Sequence, residues 1–350
     1  MSNILVINAG STSLKYVLFD QDLQKQSSGT IREIGTLVKN HDIAFQMMLD
    51  ELNGAADLAA IGHRIVHGGD EFFKPSIVNE IIVDRLEAYN QLAPLHNPPG
   101  LACLRASLQN LGKNIPNVAV FDTGWFADLP PVARHYALPA ELTEKYHLRR
   151  FGFHGISHQS VAQQAAAALK RDLAELNLIT IHLGGGASVA AVKNGRPIDT
   201  SMGFTPMEGL VMMTRCGDLD PAIPLYLQKN ANLSADQVYE LLNRQSGMTA
   251  LSGIGEGMLK IQEAAQAGNK TARAALEFYV YRIKKYLGSY FAVLNRVDAL
   301  VFTGAIGQGS SLVREQVMAG LSLARGVLVL HFAPEEESLI ARETIKLINK

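Results

Sequence analysis

Hydrophobic and polar positions along the chain repeat one plan twice. Ile4-Leu5-Val6-Ile7 is an apolar run that reads as a buried strand, and the polar turn Asn8-Ala9-Gly10-Ser11-Thr12-Ser13-Leu14-Lys15 leads from it into a second strand, Tyr16-Val17-Leu18-Phe19-Asp20. Far downstream, residues 176–181 form another short apolar, β-branched-rich run. It enters His182-Leu183-Gly184-Gly185-Gly186-Ala187-Ser188 and continues as the strand Val189-Ala190-Ala191-Val192, closed by a turn at Lys193-Asn194-Gly195-Arg196. Two such units so far apart predict two similar domains.

Between them, residues 59–69 read as a strand ending in a polar glycine turn, and residues 117–121 as a strand ending at Asp122-Thr123-Gly124. Helical patterns cover residues 43–52, 83–91, 100–111, 160–169, 272–294 and 335–348, and Ser234-Ala235-Asp236-Gln237 is a capping-box candidate. Pro221 sits where a helix could open at its first position. Residues 199–220 read as an irregular polar segment too long for a routine connection. A buried strand at 299–303 feeds the glycine-rich stretch 304–310, with a helix to follow. Strands alternating with helices define an α/β class.

A length of 350 residues accommodates two domains, each with its own core, expected as 1–124 joined by the C-terminal helix 338–350, and 125–337. A hydrophobic fraction of 47% with 19% charged residues fits globular folding and argues against disorder. The net charge of −1 offers no electrostatic case for nucleic acid or an anionic membrane, so any anion is bound by local positive charge. Two cysteines, Cys103 and Cys216, supply no disulfide framework or zinc spacing. With no membrane-length apolar run and no leader pattern at the first residues, the expected location is the cytoplasm.

The glycines 184–186 carry the clearest chemistry. Without Cβ atoms they let bare backbone approach a ligand, and successive N–H groups form a concavity suited to anionic oxygens. A Rossmann dehydrogenase fits poorly, because the glycine turns join strand to strand and lack the helix that should follow at once. Taken together, seven stretches resemble the acetate kinase family and occur in that family's order. They are residues 8–15, 63–69, 94–98, 121–123, 152–155, 182–188 and Thr214-Arg215-Cys216-Gly217-Asp218-Leu219-Asp220-Pro221. The resemblance implies two duplicated actin-like (ribonuclease H-like) α/β domains with an interdomain active-site cleft. It also implies phosphoryl transfer between ATP/ADP and a short carboxylate such as acetate, dependence on Mg²⁺, and a homodimer.

That chemistry calls for charge cancellation. A short carboxylate is ionised at pH 7, with a pKa near that of a Glu side chain at about 4.3, so the acceptor needs no general base. Two anions must instead be brought together, which calls for Arg, His and a metal. By resemblance Arg64 and Arg215 contact the carboxylate and the moving phosphoryl group; their alternative is ordinary structural ion pairing. His154, between glycines, corresponds to a contact to phosphoryl oxygens and His182 to a phosphate contact, each against the alternative of a satisfied core histidine. Asp122 ends a strand, where acidic residues of open α/β sheets meet metal or substrate; a helix cap or loop turn is the other option.

Asn8, Glu336 and Glu337 correspond to the magnesium-holding positions, although adjacent carboxylates also suit a helix N-terminus. Asn8, Ser11, Ser13 and Lys15 are candidates for phosphate oxygens or hydrated metal, with Lys15 alternatively solvated. Val66, Leu95, Phe153 and Pro206 match a small apolar pocket for the acyl tail, though each is also a residue any core would use. On the nucleoside side the implied residues are Gly257, Met258 and Leu259, and Gly304, Ala305, Ile306 and Gly309.

Departures from the family cluster there. Gly257 and Leu259 stand where an Asp and an Arg are usual, Ala305 replaces a glycine, and Gln308-Gly309 replaces Glu-Asn. Cys216 stands for Ser, Gly124-Trp125-Phe126 replaces Ala-Phe-His, and the chain is compressed before His63 and between Val317 and Glu335. Three readings follow: an acetate kinase or other short-chain acyl kinase such as a propionate kinase, a member using pyrophosphate, or a non-catalytic nucleotide-binding protein of the same fold.

Overall fold

The computed structural model describes residues 3–52, 57–112, 114–255 and 257–349; the outer limits of the expected domains, residues 1 and 350, lie outside these. The chain packs as two compact units. The first comprises Met1–Ala127, His154–Ile156 and Glu335–Lys350, and the second Asp128–Phe153 and Ser157–Pro334.

The first unit is built on a six-stranded sheet of β1 (Asn3–Ala9), β2 (Ser13–Phe19), β3 (Lys25–Arg32), β4 (Leu58–Ile65), β5 (Ser76–Val78) and β6 (Asn117–Phe121), in the order β3-β2-β1-β4-β6-β5. Strands β1, β4 and β6 run parallel, whereas β2, β3 and β5 join antiparallel. Period-two alternation sends Leu5, Ile7 and Ala9 of β1 to one side, against Phe45 and Met48 of the helix His41–Glu51 and Cys103 of the helix Asn97–Asn110. Ile4 and Val6 face the other side, against Leu339, Ile340 and Ala341 of the C-terminal helix Glu336–Ile348. Gly62 of β4 lets that helix lie close. A Cβ there would stand 2.6 Å from Thr344 Oγ1 and 2.7 Å from Ile340 Cγ2.

The second unit holds β7 (Leu178–Leu183), β8 (Ala187–Lys193), β9 (Arg196–Thr200), β10 (Ala299–Thr303) and β11 (Leu328–His331), ordered β11-β10-β7-β8-β9. Here β7, β10 and β11 are parallel, and β8 and β9 extend the sheet as an antiparallel meander. The order and sense match β6-β4-β1-β2-β3 of the first unit, so one plan is used twice. The 25-residue helix Lys270–Leu294 packs on β8, and the helix Gly155–Leu169 begins at the two glycine-side residues counted with the first unit. Among the described residues no helix is long and apolar enough to cross a membrane.

The apolar pattern does not predict β3, β5, β9 or β11. The first, Lys25–Arg32, buries only Ile31, and β11 is largely exposed, so edge strands held by a neighbour's backbone leave little hydrophobic trace. Residues 199–220 are not irregular throughout, because Asp199 and Thr200 close β9. Residues 304–310 hold the helix Gly304–Gly309, and short helices Pro131–Arg134 and Ala140–Lys145 lie in a stretch for which the apolar pattern predicts no helix. Helices also start earlier than their apolar patterns, at Asn97, Gly155 and Lys270. Pro98 and Pro99 are tolerated because first-turn N–H groups lack helical partners anyway. Pro221 is the N-cap residue of Ala222–Asn230, and the capping box at Ser234 and Gln237 forms with both bonds.

Candidate active site

In the first unit three parallel strands end side by side, and the residue at each end points to the face covered by the C-terminal helix. Asn8 follows Ile4 and Val6, Arg64 follows Ala60 and Gly62, and Asp122 follows Val118 and Val120. The carboxyl ends of parallel strands are where open α/β sheets bind ligands. Arg64 donates from Nε (3.1 Å) and Nη2 (2.5 Å) to Asp122 Oδ2, and from Nη1 to Asn8 Oδ1 at 3.1 Å. Asn8 Nδ2 in turn donates to Glu337 Oε1 at 3.0 Å and Glu336 Oε2 at 3.3 Å. Lys15 is the cross-strand partner of Asn8, and its Nζ lies 2.9 Å from Glu337 Oε1. Lys15 is therefore an ion-pair member at the exposed rim of this set.

Asp122 and Glu337 are buried. Burial works against the Arg64 guanidinium, but Asp122, Glu336 and Glu337 outweigh it and hold its charge above the ordinary arginine range. Burial pushes the Glu336 carboxyl up to about 7; Asp122 and Glu337 push the same way, and Arg64 and Lys15 oppose. Asp122, Glu337 and Glu336, the last only partly ionised at neutral pH, face two cations; a further positive charge would stabilise the set in its ionised form, with carboxyl and amide oxygens to offer it. This suits a hard divalent cation such as Mg²⁺, which takes one or two carboxylates and keeps its waters. Among the described residues no three His, Cys, Asp or Glu side chains form a complete metal cage, which that mode of binding does not require.

His154 holds a left-handed backbone with φ of +56°, uncommon outside glycine and a form of local strain found at functional sites. Gly155 fixes it there. Its N–H donates to Asp122 O at 2.9 Å, and a Cβ would come within 2.1 Å of the same oxygen. The sequence-predicted Arg64, Asp122, His154, Asn8, Lys15, Glu336 and Glu337 thus belong to the first unit, as do half-buried Ser13, buried Val66 and half-buried Leu95. Buried Phe153, half-buried Pro206 and Arg215 belong to the second.

In the second unit β7 ends at the glycine turn. Gly184 N donates to Gly186 O at 2.9 Å, while Gly185 is exposed with open space around it. His182 bonds through Nδ1 to Ser157 Oγ at 2.8 Å, and its Nε2 lies toward Gly184. Buried His158 bridges Thr180 Oγ1 and Ser188 Oγ, at 2.7 and 2.8 Å, behind that turn. Burial, then the neighbouring His182, lowers His158 well below the usual range. Met213, two residues before Arg215, donates to Gly185 O at 3.1 Å. Arg215 Nη1 donates to Pro206 O at 2.8 Å, and burial lowers its pKa.

Gly304 lies against Leu183, and Ala305, Ile306 and Gly309 continue its short helix. Gly257 caps the helix Met258–Gln266, in which Met258 is buried and Leu259 exposed; Glu256, just before, lies outside the described residues. Gln262 of this helix donates to Ser310 Oγ at 2.9 Å, joining the two segments implied for the nucleoside. Sequence reasoning gave no role to Ser157, Tyr136, Arg150 or Glu208. Only the second and third had a visible signal, an aromatic and a cation in the stretch 125–150, which is rich in Pro and aromatic residues.

A mixed sheet plan used twice, with charged residues gathered at parallel strand ends, defines an α/β protein of the actin-like ATPase class. Comparison narrows this. The Acetokinase family model matches residues 24–338. An acetate kinase of Pseudothermotoga lettingae is 40% identical over 394 residues, covering 99% of this chain and 97% of the relative. One from Coprothermobacter proteolyticus is 42% identical over 395 residues, covering 99% and 98%. These alignments exceed 350 residues, so the relatives carry insertions this chain lacks. The crystal structure of Porphyromonas gingivalis acetate kinase superposes with a TM-score of 0.89 at 34% identity, covering 100% of both chains. That of a Francisella tularensis propionate kinase superposes with a TM-score of 0.93 at 34% identity, covering 99% and 100%. The chain belongs to the acetokinase family, phosphotransferases with a carboxyl group as acceptor.

Proposed function

We propose that this chain is an acetate kinase, transferring the γ-phosphoryl group of ATP reversibly to acetate by direct in-line displacement, with acetyl phosphate and ADP as products. The observation that carries the reading is the set Asn8, Lys15, Arg64, Asp122, Glu336 and Glu337 at the strand ends of the first unit, in a member of this family. Acetate arrives ionised, so the chain spends no residue on deprotonating it. Arg64 and Arg215 cancel charge on the two anions, and His154 hydrogen-bonds the moving phosphoryl oxygens. Asp122 orients Arg64 through two hydrogen bonds to one carboxylate oxygen. Ser13, Lys15, His182 and Gly184, Gly185 and Gly186 take phosphate oxygens. Gly257, Met258, Leu259, Gly304, Ala305, Ile306 and Gly309 take the nucleoside, and Val66 and Leu95 of the first unit and Phe153 and Pro206 of the second are assigned to the methyl group. Asn8, Glu336 and Glu337 hold Mg²⁺, which when bound neutralises phosphate charge.

The likeness to a propionate kinase favours a second acceptor, because one extra methylene is discriminated by only about 1–3 kcal/mol. Two copies pair through the second unit, whose surface exposes Ile223, Leu225 and Tyr226. Sedimentation velocity then gives a dimer mass, and a monomer at micromolar concentration contradicts pairing. The reaction takes place in the cytoplasm. Hydroxamate trapping with ATP and acetate or propionate tests the activity: acetyl hydroxamate is expected with ATP, and propionyl hydroxamate more slowly.

A further inference from the structure

The long segment after β9 carries Pro206, and its carbonyl is the acceptor for the Arg215 guanidinium at 2.8 Å. Proline offers no N–H of its own, so Pro206 is placed by the residues around it. Those residues are tied down by a polar network with no part in the chemistry proposed above. Arg150 Nη1 donates to the carbonyls of Thr200 (3.1 Å), Ser201 (3.4 Å) and Met202 (3.1 Å), and its Nη2 to Glu208 Oε1 at 2.6 Å. Its guanidinium also lies over the Tyr136 ring, 5.6 Å from the centroid. Tyr136 accepts from Phe204 N at 2.8 Å and donates to Glu208 Oε2. Thus Met202 and Phe204 on one side of Pro206, and Glu208 on the other, are all held by Tyr136 and Arg150. The backbone just after Glu208 is pinned as well. Gly209 N donates to Asp218 Oδ1 at 2.8 Å, while Tyr286 holds the other Asp218 oxygen at 2.9 Å.

We propose that Glu208, with Tyr136 and Arg150, is a positioning residue that fixes the Pro206 carbonyl and through it the Arg215 guanidinium and one wall of the acyl pocket. This rests on the reading of Arg215 and Pro206 given above. Glu208 is suited to the role because it closes the network: it accepts from both Tyr136 and Arg150. Hydrogen bonds to an ionised carboxylate are stronger than neutral ones and geometrically specific, which is what holding a loop to within an ångström requires. A displacement of about 1 Å at a reacting group can cost about 100-fold in rate. The predicted signature is a fall in kcat with little change in the KM for ATP, and a change in the acetate-to-propionate ratio as Pro206 shifts.

The test is a double-mutant cycle on the full chain, read by hydroxamate trapping, with folding followed by circular dichroism. Glu208→Ala is expected to lower kcat with acetate about 100-fold, and Tyr136→Phe about 10-fold, each with the KM for ATP within about twofold. In an Arg215→Ala background, with residual activity followed over hours, Glu208→Ala is expected to cost less than about tenfold, because the guanidinium it positions is gone and only its hold on Pro206 remains. An equal loss in both backgrounds, or no loss in either, overturns the proposal. If Glu208→Ala fails to fold, Tyr136→Phe carries the same cycle. A full-chain enzyme with no activity, or an Arg215→Ala variant with normal turnover, overturns instead the reading on which the proposal stands.

Discussion

Arg64 ties together the candidate site of the first unit, since its Nε and Nη2 reach Asp122 and its Nη1 reaches Asn8, while Asn8 reaches both glutamates. Arg64→Ala is expected to cut kcat by about 10²–10³, as loss of a group that stabilises transferred charge does. It also strands Asp122, whose side chain is 2% exposed, so the variant should lose about 3 kcal/mol of stability by urea unfolding. Normal turnover would remove Arg64 from the chemistry, and unchanged stability would show Asp122 to be otherwise satisfied. A second residue-scale expectation concerns His63, buried with Nε2 on Asn117 Oδ1 at 2.8 Å. Burial pushes it down to about 4, against the pull of that hydrogen bond. Folding therefore favours the neutral ring: its contribution is complete above the unfolded value of about 6.5 and drains as pH falls toward 4, about 2 kcal/mol by pH 5. His63→Gln, which does not titrate, should flatten the unfolding free energy between pH 7 and 5 by that amount. An unchanged slope would mean that His63 is not what makes the fold acid-sensitive.

Among elements, the C-terminal helix matters most, because its first turn delivers Glu336 and Glu337 to Asn8 while its body lies across β1, β4 and β6. Gly62→Ala puts a methyl where Ile340 and Thr344 already sit, so the helix must lift. The expected results are a loss of about 1–3 kcal/mol and a several-fold higher Mg²⁺ requirement in a metal titration at fixed ATP. A variant with normal magnesium dependence would separate helix seating from the metal site. The elements best written in the sequence are the central strands: β1, β6, β7 and β10 carry largely continuous apolar runs, and β4 opens on one at residues 58–61 before Gly62, His63 and Arg64. The flanking strands do not, since β3 is mostly polar, β9 contains Pro197, and β5 has three residues. Their existence depends on backbone partners set by other strands, which no local pattern records. Helix Gly304–Gly309 was hidden for a different reason, because three glycines in six residues read as a turn.

At the scale of the whole molecule, one sheet plan serves twice, and the duplication was visible as two strand–turn–strand signals about 170 residues apart in the chain. Each copy then carries different side chains at its strand ends: carboxylates, amide and guanidinium in the first, and glycines backed by His182 in the second. The candidate site residues were legible through the family resemblance of seven stretches, in which glycine, proline and charged residues in loops stand out. The network of Tyr136, Arg150 and Glu208 was not, because its members are 72 and 58 residues apart and share no motif. The claim on which the account depends is that this chain phosphorylates a short carboxylate by charge cancellation. Its most direct test is acetyl hydroxamate formation by the purified chain from acetate, ATP and Mg²⁺. The account predicts one acyl phosphate trapped per ADP released, with product lost on chelation of the metal; the absence of product with ATP, GTP and pyrophosphate alike would contradict it.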